Sequence, residues 1–180
     1  MKKILSILIL LSSLALSQID LEESYISYRG THPLHSWEGI SKDISFNMKC
    51  TGEHCLLDVS APLESFDSGN DGRDNNMLYY TESLQYPEVR FKSESFKFTG
   101  NFDTSIDLKG ELTFHGVTRE IPVKIVLYKD LDLDGSIITH WGKCSFDIGL
   151  NSFNVSKPSL LMVKISDEIT VNVKLKLLNK

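Results

Sequence analysis

The chain has 180 residues, 41% hydrophobic and 24% charged, with a formal net charge of −5. That is enough chain for one domain with its own core, and the composition is that of an ordinary globular protein. It carries no basic run, which sets aside nucleic acid and anionic membrane surfaces as partners.

Met1–Ser17 has the three parts of a secretory leader: Lys2 and Lys3, an apolar run from Ile4 to Leu16, and Ala15-Leu16-Ser17 before Gln18. The run is short for a bilayer crossing, which takes about 20 residues. No cysteine follows the cleavage point, which argues against a lipid anchor. The expected boundaries are a cleaved signal peptide at 1–17 and one domain at 18–180, exported without a membrane span to the periplasm of a two-membrane bacterium. Without the two leader lysines, 17 basic side chains face 24 acidic ones, a net charge of −7.

Ile26 and Tyr28 alternate with Tyr25, Ser27 and Arg29, predicting a first strand that His32-Pro33-Leu34-His35-Ser36 breaks. Trp37–Met48 reads as one strand with Ile44, Phe46 and Met48 on one face. Cys55–Leu63 reads as a third, with Leu57, Val59 and Ala61 on one face. Cys50 and Cys55 bracket the turn Thr51-Gly52-Glu53-His54. In an oxidising compartment they are candidates for a hairpin disulfide. The alternatives are free thiols, or a metal site with His54 that has no fourth ligand in view. His32 and His35 would hold a metal only with help from elsewhere, so no metal is expected. Trp37 reads as a core or rim aromatic, and Cys144 as a small buried hydrophobe.

The stretch Ser65–Phe91 changes character. Phe66-Asp67-Ser68-Gly69-Asn70-Asp71-Gly72 is turn chemistry. Asn70 or Asp71 is placed to cap a helix starting near residue 72. Met77, Tyr80 and Leu84 share its apolar face, and Tyr86-Pro87 ends it. Val89, Phe91, Phe96 and Phe98 then fall in two parities, predicting a bulge near Ser93–Ser95. Ile106–Phe114 is a strand facing inward with Leu108, Gly110, Leu112 and Phe114, and His115-Gly116 is its hairpin turn. Glu120–Lys129 returns with Ile121, Val123, Ile125 and Leu127 on one face. Asp130–Gly135 is an acidic turn, Ser136–Ile148 a strand, and Asn151–Leu161 irregular. The last strand alternates Ile169, Val171, Val173, Leu175 and Leu177 with Thr170, Asn172, Lys174 and Lys176.

About eight strands with one apolar face each, joined by short turns, predict an all-β antiparallel sandwich or closed barrel with one short helix after the third strand. Nothing marks a second domain. Two motifs narrow the choice. Gly72-Arg73-Asp74 followed by Tyr86-Pro87-Glu88-Val89-Arg90-Phe91 resembles the central signature of the YceI family, an RD followed by a "yP-x-v-x-F" stretch. Leu108-Lys109-Gly110-Glu111-Leu112-Thr113-Phe114-His115-Gly116-Val117-Thr118 is similar to that family's "v-x-G-x-L-T-x-h-G-v-T" hairpin. Departures at His32–Trp37 and Asn154–Met162 mark a divergent subgroup. The resemblance implies an eight-stranded, lipocalin-like antiparallel barrel that binds a polyisoprenoid, an isoprenoid quinone or a long-chain lipid amide.

The inward parity suits such a ligand, since it offers apolar side chains and few charges. The residues expected to wall it are Met77, Phe91, Leu112, Phe114, Val123, Ile125, Val171 and Val173. Arg73, of the family dipeptide, is the candidate for a head-group contact. Equally, Arg73 and Asp74 serve local capping and pairing, and His115 is structural. No nucleophile elbow, phosphate loop, HExxH or paired carboxylates stand in a recognisable context, so neither catalysis nor a cofactor is expected. The expected activity is to bind, carry or sequester a long apolar lipid, with a homodimer left open. The alternative is a non-catalytic envelope protein with a filled barrel core, acting through protein contacts.

Overall fold

The computed structural model describes residues 19–160 and 162–178, so the expected leader lies outside the described residues. The chain runs β1 (Ile19–His32), β2 (His35–Ser41), β3 (Ser45–Thr51), β4 (His54–Pro62), α1 (Asp71–Tyr80), β5 (Glu88–Ser93), β6 (Phe96–Lys97), β7 (Thr104–Phe114), β8 (Val117–Leu131), β9 (Ile137–Gly149), β10 (Ser159–Leu160), β11 (Val163–Lys164) and β12 (Glu168–Leu177). Short 3-10 turns follow β4 at Leu63–Ser65 and β9 at Leu150–Phe153.

One antiparallel sheet has the order β2-β1-β12-β9-β8-β7-β5-β4-β3, with β6 also on β4. β10 and β11 pair only with each other. The two edge strands of the large sheet, β2 and β3, are consecutive in the chain and are joined by only three residues, Lys42–Ile44. Strands at opposite ends of a sheet can be so joined only if the sheet curls round on itself. The result is the expected all-β, lipocalin-like barrel class, its seam crossed by the chain, but the sheet has ten strands where eight were expected, because Trp37–Met48 divides in two and β6 adds a short strand on β4. On the α1 side of the seam the turn after β4 lends its backbone: the Ile40 and Asp67 N–H groups donate to each other's carbonyls at 2.9 and 3.0 Å.

The structure differs from the sequence reading in four places. The expected single strand Trp37–Met48 is two, β2 and β3, so α1 follows the fourth strand. The first strand is longer than its alternating core, because Ser24 absorbs a register shift between Asp20 and Tyr25. The buried Ser24 hydroxyl accepts the Lys176 N–H at 2.9 Å, replacing a lost ladder bond. The helix ends at Tyr80, earlier than expected. Thr81 caps it, its N–H and hydroxyl both donating to the Met77 carbonyl. Leu84 therefore leaves the apolar face and is fully exposed. Finally, the expected bulge is a break between β5 and β6, where the Ser93 hydroxyl accepts the Leu57 N–H at 2.8 Å. That break lets Phe91 and Phe96, of opposite parity, both face inward.

α1 has the expected cap: Asn70 Oδ1 accepts the Arg73 N–H at 2.9 Å. Met77, Leu78 and Tyr80 are only half-buried, and Tyr79 is exposed. The helix thus sits across one end of the barrel. The buried core has three parts: one at that end (Leu63, Leu112, Phe114, Ile148, Phe153, Ile169), one along the seam (Ile26, Ile44, Ala61, Phe66, Leu175) and one at the far end (Cys55, Phe98, Leu127).

Candidate ligand cavity

Members of these packed groups also line a cavity of about 720 Å³ inside the barrel. Ligand pockets of drug-sized molecules run from about 300 to 1,000 Å³. Its wall follows directly from strand parity. On β12, Val171 and Val173 face in, flanked by Tyr28 and Ile26 of β1 and by Phe146 and Cys144 of β9. Across the barrel, Phe91 lies between Val59 of β4 and Leu112 of β7. Val123 and Ile125 of β8 continue the wall. All eight residues expected at the wall, including Met77 from α1 and Phe114 from the end of β7, line this one cavity. On β12 the lining runs from Ile169 to Leu177, a distance of roughly 26 Å at about 3.3 Å per residue. The cavity is therefore long, narrow and almost wholly apolar.

Its polar groups concentrate at the end covered by α1. The β1–β2 hairpin sets His32 opposite His35, Gly30 opposite Trp37 and Tyr28 opposite Gly39. Strand parity turns Tyr28, His32, His35 and Trp37 inward. Each glycine is a seat for the aromatic ring across from it. A Cβ at Gly39 would run into the Tyr28 ring, and one at Gly30 would lie 2.5 Å from Trp37 Cζ2. The rings of His32, His35 and Trp37 succeed one another at centroid distances of 5.7 and 5.6 Å.

Arg73 closes this row from α1. Its guanidinium carbon lies 5.8 Å from the centre of the Trp37 ring, and Nη1 donates to the Ser68 carbonyl at 3.4 Å. The neighbouring Asp74 turns the other way and accepts from the Ser68 N–H at 3.2 Å and from its hydroxyl at 2.5 Å, tying the turn to the helix. The two residues of the dipeptide thus divide: Asp74 holds the backbone and Arg73 borders the cavity. Burial, with the Asp74 carboxylate as second cause, pushes the Tyr28 hydroxyl up to about 12.

Other residues singled out in the sequence have structural surroundings. Cys50 and Cys55 pair across the β3–β4 hairpin and are joined as a disulfide. Cys144 lines the cavity, and burial pushes its thiol up to about 12, so it is a poor nucleophile. His115 sits with Gly116 in the β7–β8 turn, both at positive φ, and its Nδ1 lies 2.9 Å from the Phe153 carbonyl. Among the described residues, no three His, Cys, Asp or Glu side chains cluster to hold a metal ion. Tyr28 and His32 were not expected at the site. The signal for them was present, since both share the inward parity of Ile26.

The YceI-like domain model matches residues 18–177. The chain belongs to the YceI-like family. Among its relatives are proteins described as "UPF0312 protein". That of Pseudomonas putida strain F1 is 25% identical over 162 residues, covering 83% of this chain and 80% of its own. That of Pseudomonas syringae pv. tomato is 26% identical over 161 residues, covering 84% and 78%. Among solved structures, Burkholderia cenocepacia BcnA superposes with a TM-score of 0.73 at 19% identity, covering 88% of this chain and 99% of its own. A polyisoprenoid binding domain from Saccharophagus degradans, implicated in plant cell wall breakdown, has a TM-score of 0.71 at 15% identity, covering 90% and 97%. At these identities the structural likenesses show a shared fold, and the YceI-like barrel is common to them.

Proposed function

We propose that this YceI-like protein binds a long apolar lipid along the axis of its barrel and carries or sequesters it in the periplasm. Polyisoprenoids, isoprenoid quinones and fatty amides are the leading ligands. The observation that carries this reading is the cavity itself: about 720 Å³, roughly as long as β12, and walled by aliphatic and aromatic side chains. Each methylene moved from water into such a lining contributes about 0.8 kcal/mol, so a long chain binds tightly with few polar contacts. The likeness to the polyisoprenoid binding domain of Saccharophagus degradans points to the same ligand class. An exported location agrees with the Cys50–Cys55 disulfide, which persists in oxidising compartments. No helix among the described residues is long and apolar enough to cross a membrane. The cavity favours this reading over the alternative of an envelope protein with a filled core acting through protein contacts.

The test is native mass spectrometry of full-length exported protein purified without detergent, followed by incubation with a polyprenol and with an isoprenoid quinone. A stoichiometric adduct, copurified or taken up, is the expected result. A homogeneous unliganded mass with no uptake of either lipid would refute the proposal.

A further inference from the structure

The cavity opens at the end that α1 crosses. Among the described residues of its wall, those that are also exposed are His35 of β2, Asn70, Gly72 and Asn76 at α1, and Ser156 and Ser159 at the approach to β10. The one other, Lys143, holds its ammonium over the Tyr128 ring on the outer face. Three elements therefore ring the mouth: the β1–β2 hairpin, α1 and the β10–β11 hairpin. They are tied together there. The Ser166 N–H donates to the Thr31 carbonyl at 2.8 Å, and the Arg73 guanidinium lies over the Trp37 ring.

The two segments that depart from the family pattern, His32–Trp37 and Asn154–Met162, meet at this rim. Each turns an aliphatic side chain to solvent at its tip. Leu34 is 67% exposed and Met162 101%, with Val163 beside it at 45%. Leu160-Leu161-Met162-Val163 is a run of four apolar residues, and β10 and β11 pair only with each other. Met162 also has φ 66°, a backbone that favours glycine or asparagine. Single exposed apolar residues are ordinary, but several gathered round an apolar opening mark an interaction surface. Charge says which kind. Thr31–Ser36 carries no charged residue and Pro158–Lys164 only Lys164. At the opposite end, the exposed Leu131 and Leu133 alternate with Asp130, Asp132 and Asp134. Carboxylates keep that end in water, and nothing of the kind stands on the two tips at the mouth.

We propose that the two hairpin tips seat the mouth of the cavity on a phospholipid bilayer, with Leu34, Met162 and Val163 entering the boundary between head groups and acyl chains. A lipid then passes between membrane and barrel without crossing water. This rests on the lipid-binding reading above for its purpose, and adds the surface from which the ligand comes and to which it returns. The contact is apolar, in keeping with a chain that has no basic run, and it calls for no anionic lipid.

The test is flotation of the full-length exported protein with phosphatidylcholine vesicles. The wild type should float with them, in concentrated salt as in dilute buffer. Burying one leucine or methionine side chain is worth roughly tenfold or more in partitioning. Leu34→Ser and Met162→Asn should each lower flotation by about that factor, and the double variant should stay in the soluble fraction. Asparagine accepts the left-handed backbone at position 162; melting curves check both variants, and either one decides if the other does not fold. Leu133→Ser, at the acidic end, should float as the wild type does. Polyprenol uptake from cyclodextrin should be the same in every variant, and uptake from vesicles should slow only when the tips are changed. A wild type that stays soluble overturns the proposal. So does a folded double variant that still floats, an equal loss in Leu133→Ser, or flotation that salt abolishes. A wild-type dimer that does not float and that the tip variants dissociate overturns it in favour of a second copy of the chain. Flotation that needs the tips, without polyprenol uptake from either source, upholds the docking surface and sinks the lipid reading alone.

Discussion

Blocking the cavity midway separates binding from folding. Val173 faces the lumen near the middle of β12, between Ile26 and Cys144. An indole at this position projects into the space that a ligand chain would occupy and divides the lumen in two. Each methylene kept out of the wall forfeits about 0.8 kcal/mol, or roughly fourfold in affinity. Excluding about six of them costs about 5 kcal/mol, several thousandfold in Kd. The effect on stability is smaller, because the added side chain fills an existing space; overpacking of this kind typically costs about 1–3 kcal/mol. The assay is quenching of tryptophan fluorescence by a dibrominated C18 fatty acid, which reports through Trp37 on the cavity wall. The melting curve is the fold control. Val173→Trp should abolish saturable quenching while the protein still melts cooperatively. A folded variant that binds with the wild-type Kd would refute the reasoning, because the ligand would then lie outside the barrel.

Three further outcomes follow from the same structure. Cys50→Ser opens a six-residue loop closed by the disulfide, which the chain-entropy relation values at about 2 kcal/mol; melting should fall by about 4–8 °C, an effect that dithiothreitol reproduces on the wild type and not on the variant. The Arg90 guanidinium, donating to both Asp58 carboxylate oxygens at 2.8 and 2.7 Å, holds that carboxyl below its usual range. A lowered folded value means that the stabilisation is fully present above about pH 4 and lost as pH falls through the lowered value, so Asp58→Asn should flatten the acid limb of a pH–stability curve below about pH 4 and little above it. Gly116 has φ 68° with the Tyr86 ring over it, so Gly116→Ala should destabilise the fold by more than about 1 kcal/mol, read as a lower urea midpoint; an unchanged midpoint would mean that the turn does not fix this hairpin.

Periodicity was enough to place the side chains. Ile169, Val171, Val173, Leu175 and Leu177 alternate because one face of β12 is buried. The same rule put Leu112, Phe114, Val123 and Ile125 on the cavity wall before any partner strand was known. It failed where the deciding contact is distant. Trp37–Met48 has one continuous pattern, yet it divides because β2 must pair with β1 and β3 with β4, on opposite edges of the sheet. Leu84 fits a helical face on paper, but Thr81 caps the helix first.

The sequence by itself determined the inward and outward parity of each strand, the His115–Gly116 turn and a helix cap at Asn70 or Asp71, since each depends on residues within a few positions of one another. Tertiary structure alone decided that β1 lies against β12, that the sheet closes through Lys42–Ile44, and that the inward faces stop short of filling the space between them. It also left His32 Nε2 without a hydrogen-bond partner among the described residues. A void and an unmade hydrogen bond are properties of the whole assembled wall. They depend on every strand that does not reach them, and no local pattern records that.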